Sequence, residues 1–129
     1  MATPFQPITN LPNMSVSGSA VLRGNDTLVT TIGANAYSTT GPDKVALARG
    51  WHETEFNVFG DGSTPATFNP GASLTVKIDL TTGSAQKPTC ETYAGTSAET
   101  NNLDLGACKG VPGSGGNPPY MQFVETAPH

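Results

Sequence analysis

The sequence predicts an all-β protein: an antiparallel β-sandwich of about seven strands with immunoglobulin-like architecture. Three observations predict it. Fifteen Gly and 11 Pro interrupt the 129-residue chain too often for long helices. Eighteen Thr, 9 Ser and 9 Asn supply polarity through side chains that favour strands and turns, not through charge. Short runs of alternating apolar and polar residues recur with turn signals between them, about every 8–12 residues. A small β-barrel is the alternative arrangement of the same strands.

The elements follow in order. Residues 1–12 carry Pro4, Pro7 and Pro12 and read as an extended N-terminal arm. Residues 13–129 read as one domain. Met14, Val16, Gly18, Ala20 and Leu22 alternate with Ser15, Ser17, Ser19 and Val21, which is the period of a strand. A turn at Gly24-Asn25-Asp26 leads to a partner strand at Leu28–Ile32. Residues 34–43 read as turn-rich, bounded by Gly33, Gly41 and Pro42. Residues 45–59 lack Pro and read as a long strand. The apolar parity changes near Gly50, so a bulge is expected there. Asp61-Gly62 closes this stretch as a turn. Residues 72–80 alternate most cleanly: Leu74, Val76, Ile78 and Leu80 are expected in the core, opposite Thr75, Lys77 and Asp79. A short strand is expected around Leu103–Leu105 and a Gly/Pro loop over Gly110–Pro119. The last strand is Tyr120–Thr126, with Met121, Phe123 and Glu125 sharing one face.

Charge excludes several functions. Six Lys plus Arg are scattered against ten Asp plus Glu, giving a net charge of −4. No basic stripe is available for phosphates, so nucleic acid is not expected as a partner. No apolar run approaches the roughly 20 residues of a membrane-spanning helix. Residues 1–7 lack the basic start and apolar run of a signal peptide, so the chain is expected to begin at a mature domain. A monomer is expected.

Cys90 and Cys108 are the only cysteines. They enclose a Thr-, Gly- and Asn-rich segment with few apolar residues. A disulfide there would constrain the unfolded chain by about 3 kcal/mol, and it implies an oxidising, extracytoplasmic location. No CxxC pair or adjacent His points to a metal, and no cofactor is expected.

The densest chemistry lies in Gly50–Gly62, read GWHETEFNVFGDG. It holds the single tryptophan, Trp51, together with His52, Glu53, Glu55 and Asp61. On a strand, Trp51, Glu53 and Glu55 share a face, with the two glutamates' Cα atoms about 6.5–7 Å apart. Such a set suits stacking on a sugar ring, or a pair of carboxylates for glycoside hydrolysis. As solvent-facing charges, Glu53 and Glu55 equally suit keeping a strand edge from aggregating. Trp51, as the sole tryptophan of a small β protein, is expected in the core. His52 falls on the opposite, apolar parity and is expected as a core or rim residue, not a ligand. Asp61 is best explained by a hairpin turn. No GxSxG and no activated cysteine supports nucleophilic catalysis.

GWHETEFNVFGDG, ATFNPGASLTVKI and ETNNLDLG together resemble a group of uncharacterised secreted bacterial β-rich proteins. The resemblance covers Gly50–Gly106. It implies a bacterial, exported β domain and brings no catalytic residue with it. The reading from the residues is therefore a non-catalytic extracytoplasmic or surface interaction module with a protein or glycan partner. Its alternatives are a carbohydrate-binding module using Trp51, Glu53 and Glu55, and a hydrolase using Glu53 and Glu55. Asp61 completes the candidate binding set.

Overall fold

The structure is a computed structural model that describes residues 4–91, 95–96 and 99–129. The protein is all-β, with two antiparallel sheets, neither closed into a barrel. The chain forms two compact units, Met1–Thr54 and Glu55–His129.

In the first unit, residues 4–7 are irregular and Ile8–Asn13 winds into a 3-10 helix, where an extended arm was expected. Strands β1 (Met14–Ser19), β2 (Asn25–Ile32) and β3 (Asn35–Pro42) form a meander in the order β1-β2-β3. The alternation of M-S-V-S-G-S sets β1, as expected. Gly24 N–H closes the following turn on Val21 C=O at 2.8 Å.

The expected turn-rich stretch 34–43 is instead β3. Its loop from β2 is only Gly33–Ala34, because Ile32 pairs with Asn35. Gly33 sits at φ +58, which a two-residue hairpin beginning with Gly requires. Asp43 then ties the end of β3 to its surroundings. One carboxylate oxygen accepts from Arg23 N–H (3.2 Å) and the other from Leu47 N–H (3.1 Å). That second bond starts a single helical turn, α1 (Leu47–Gly50), closed by Trp51 N–H on Leu47 C=O. The long strand expected over 45–59 is therefore not formed: one helical turn precedes an irregular segment from Trp51 to Gly60.

The second unit is built on β8 (Tyr120–Thr126). It is flanked on one side by β4 (Ser73–Asp79), and on the other by β6 (Asp104–Leu105) and β7 (Lys109–Val111). Strand β5 (Gly95–Thr96) extends the sheet beyond β6. Strands β4, β6 and β8 lie where alternation predicts, whereas β7 claims the start of the expected 110–119 loop.

Register explains the core. Leu74, Val76 and Ile78 stand opposite Glu125, Phe123 and Met121, and Leu105 also stands opposite Glu125. Val76, Leu103, Phe123 and Ala127 are buried. Of the four residues expected in the core from β4, Val76 is buried and Leu74, Ile78 and Leu80 are half-buried. Lys77, Asp79, Asp104 and Lys109 sit at the opposite parity. There Lys77 pairs with Asp79 at 2.6 Å and lies 4.6 Å above the Tyr120 ring. Cys90 and Cys108 are joined by a disulfide, as expected for a loop with so few apolar residues. Such bonds persist in oxidising, extracytoplasmic surroundings. Among the described residues no helix is long and apolar enough to cross a membrane.

Candidate functional site

In the first unit, pairing fixes which side chains share a face. Met14, Val16 and Gly18 of β1 stand opposite Ile32, Thr30 and Leu28 of β2, which stand opposite Asn35, Tyr37 and Thr39 of β3. The reverse face carries Ser15, Ser17, Ser19, Thr27, Thr31, Ser38 and Thr40 with Val29 and Ala36 among them, and is dominated by hydroxyls. The sheet therefore has one side more apolar than the other.

That apolar side is uncovered. No described residue of the first unit is buried. Val16 remains 63% exposed and Leu28 47%. Trp51 lies on the same side, with the outer edge of its six-membered ring against Gly18. The closest approach is 2.9 Å from where a Cβ at Gly18 would stand. Only glycine leaves room for this ring. The indole Nε1–H donates to Glu53 C=O at 2.8 Å, which fixes the ring's orientation. Trp51 is still 43% exposed. The expected core tryptophan is thus a correction. Its indole sits on an open sheet face, because α1 delivers it over a glycine where no second layer of side chains closes.

Glu53, Glu55 and His52 are exposed. Since residues 51–60 form no strand, the parity that was to place Trp51, Glu53 and Glu55 together, and His52 apart, does not operate. Asp61 organises a turn. Its Oδ1 accepts from Ser63 N–H (3.1 Å), Ser63 Oγ–H (3.0 Å) and Thr64 N–H (2.9 Å). The Thr64 and Ser63 amides hold its carboxyl below the usual range. A Cβ at Gly60 would collide with Thr64 C=O, so the turn needs glycine there. Among the described residues no group of three or more His, Cys, Asp or Glu is placed to hold a metal ion.

The second unit contains an arrangement that sequence reasoning missed. The segment Glu99–Leu103 clasps the irregular segment 56–60 and Phe68 through side chains. Val58 N–H donates to Glu99 Oε2 at 2.7 Å, and Asn101 Nδ2–H donates to Val58 C=O at 2.8 Å and to Glu99 Oε2 at 3.0 Å. Gly60 N–H donates to Thr100 Oγ1 at 3.0 Å. Asn102 takes both Phe68 N–H (2.8 Å) and Phe68 C=O (2.9 Å). Here side chains occupy backbone groups that a neighbouring strand would otherwise satisfy. That is how 58–60 is held without being a strand.

Glu125 adjoins this clasp, because residues 99–103 run straight into β6, whose Leu105 stands opposite Glu125. It is 2% exposed, and its Oε2 has no hydrogen-bond partner. Burial, and secondarily the charge of Glu99, push its carboxyl above the usual range. The signal for it was present in the sequence: a glutamate at the parity of Met121 and Phe123 on an alternating strand. Neither of two shallow surface depressions, one lined by Lys109, Tyr120 and Gln122 and the other by Lys87, Cys90 and Cys108, is lined by Glu99 or Glu125.

Comparison with protein-family models, with curated proteins and with solved structures finds no match to this chain.

Proposed function

We propose that this chain is a non-catalytic, extracytoplasmic interaction module that works by contact through the apolar face of the β1–β2–β3 sheet, with Trp51 seated over Gly18 of that face. One observation carries the reading: Met14, Val16, Leu28, Ile32, Tyr37 and Trp51 share a side of the sheet, with Met14, Ile32 and Tyr37 half-buried and Val16, Leu28 and Trp51 exposed. A three-stranded sheet gains its stability from covering such a face. Covering an apolar patch of a few hundred Å² contributes several kcal/mol at about 25 cal/mol per Å². Half-exposed tryptophan is also what protein interfaces concentrate at their anchor points. The disulfide supports placement outside the reducing cytoplasm.

A second reading is favoured by the same indole. A ring held by its Nε1–H and left 43% exposed suits stacking on a sugar. The hydrolase reading has less support, since Glu53 and Glu55 lie on an exposed, irregular segment. Arrays of purified proteins and of glycans, probed with wild type, Trp51→Ala and Leu28→Ser, test the proposal. It expects protein ligands that both substitutions abolish. Glycan ligands lost with Trp51→Ala alone would favour the sugar-binding reading. Release of reducing sugar by wild type would overturn the non-catalytic assignment.

A further inference from the structure

We propose that Glu125, buried on the core side of β8 beside the half-buried Glu99, is held as a neutral acid, and that its proton is a latch holding the clasp around residues 56–60 closed. This proposal concerns the second unit and stands independently of the binding face.

The geometry is that of a site designed around a neutral acid. Glu125 points to the core side of β8, between Phe123 and Ala127, both buried. From β4 the residue facing it is Leu74, and from β6 it is Leu105. The charged residues of the adjoining strands, Lys77, Asp79, Asp104 and Lys109, occupy the opposite parity. No cation therefore faces Glu125 from β4, β6 or β7. The charge that reaches it is that of Glu99, which has its own sign. An ionised carboxylate without a partner is costly in such surroundings, whereas a protonated one is tolerated.

Glu99 cannot retreat freely. Its Oε2 accepts from Val58 N–H and Asn101 Nδ2–H, the two bonds that fix the centre of the clasp. When Glu125 gives its proton to solvent, its charge is set beside the half-buried carboxyl of Glu99. Relief comes from moving Glu99 away, and that movement breaks the Val58 bond. The direction of the pH effect follows. Glu125 binds its proton more tightly folded than unfolded, so its contribution to stability is complete below the ordinary glutamate value of 4.5 and is lost as pH rises through its elevated value. The clasp is thus closed in acid and loosened toward neutral and alkaline pH.

Amide hydrogen exchange on the full-length chain tests this, with protection of Val58 and Gly60 corrected for intrinsic exchange. Protection in wild type should fall on raising pH from 4 upward, by roughly tenfold for each pH unit by which Glu125's affinity exceeds the ordinary value. Glu125→Gln should flatten the profile. Glu125→Leu, which removes the carboxyl without leaving a buried amide, serves if the Gln variant does not fold. The carboxyl carbon of Glu125, followed by NMR in wild type, should titrate above the ordinary glutamate value of 4.5. A flat wild-type profile, an unchanged profile in the Glu125 variants, or a Glu125 titration at or below the ordinary glutamate value would overturn the proposal. Recovery of Val58 protection at high pH on adding Ca²⁺, reversed by chelator, would also overturn it, by making the pair a cation site.

Discussion

Asn101→Ala removes the side chain on which the clasp turns. Asn101 donates to Val58 C=O and to the Glu99 carboxylate, and its Oδ1 accepts from Leu103 N–H at 2.8 Å. Hydrogen bonds to neutral backbone groups contribute about 1 kcal/mol net each, and one to a carboxylate about 1.5–3 kcal/mol. The side chain is only part-buried, so water replaces some of what is lost. The expected destabilisation is about 2–4 kcal/mol, which for a chain of this size lowers Tm by roughly 5–15 °C. Leu103 is itself buried beside this bond, so the loss is transmitted to the core. Asn102→Ala supplies the comparison. It breaks the two exposed bonds to Phe68, and about 1–2 kcal/mol is expected. Urea denaturation followed by circular dichroism measures both. If Asn101→Ala falls within about 0.5 kcal/mol of wild type, the clasp does not hold 56–60, and another cause must be found for the order of that segment.

The other expectations concern core and covalent structure. Phe123→Ala should destabilise by about 3–5 kcal/mol and Val76→Ala by about 1–3 kcal/mol, because the two buried side chains meet across β4 and β8. Thr75→Ala, at the solvent-facing parity, should stay within about 0.5 kcal/mol; equal losses at Val76 and Thr75 would mean the register is misread. Reduction should add the mass of two hydrogens to the intact chain and lower its stability by about 3 kcal/mol, the expected effect of an 18-residue separation between bonded cysteines; an unchanged mass would exclude the bridge.

Much of the fold was legible because strands announce themselves by period. S-L-T-V-K-I-D and Y-M-Q-F-V-E-T alternate without interruption, and both form strands. Strand β3 was hidden because Asn35, Gly41 and Pro42 carry turn chemistry at its two ends, whereas the decisive signal was the two-residue loop Gly33–Ala34. The segment 51–60 was misread for a different reason. Its apolar residues resemble a strand, but the backbone of Val58 and Gly60 is held by the side chains of Glu99, Thr100 and Asn101, some forty residues away. No local pattern encodes that. For the site, the sequence marked Trp51 as a focus and placed it in the core. What moved it to the surface is the conjunction of α1, which aims the ring, with Gly18, which receives it. Glu125 was visible in its parity yet was passed over, because a lone glutamate on a strand ordinarily faces water.

The central claim is that Trp51 stands on an open apolar face, and its fluorescence tests this directly, since it is the chain's single tryptophan. The account predicts emission shifted toward the red relative to a core indole, ready quenching by acrylamide, and shielding from acrylamide once a ligand occupies the face. Trp51→Ala should leave the fold intact, with a loss well below the roughly 3–5 kcal/mol of a buried tryptophan. Blue-shifted emission that acrylamide barely quenches, together with unfolding on truncation, would place the indole in a core and contradict the proposed binding face.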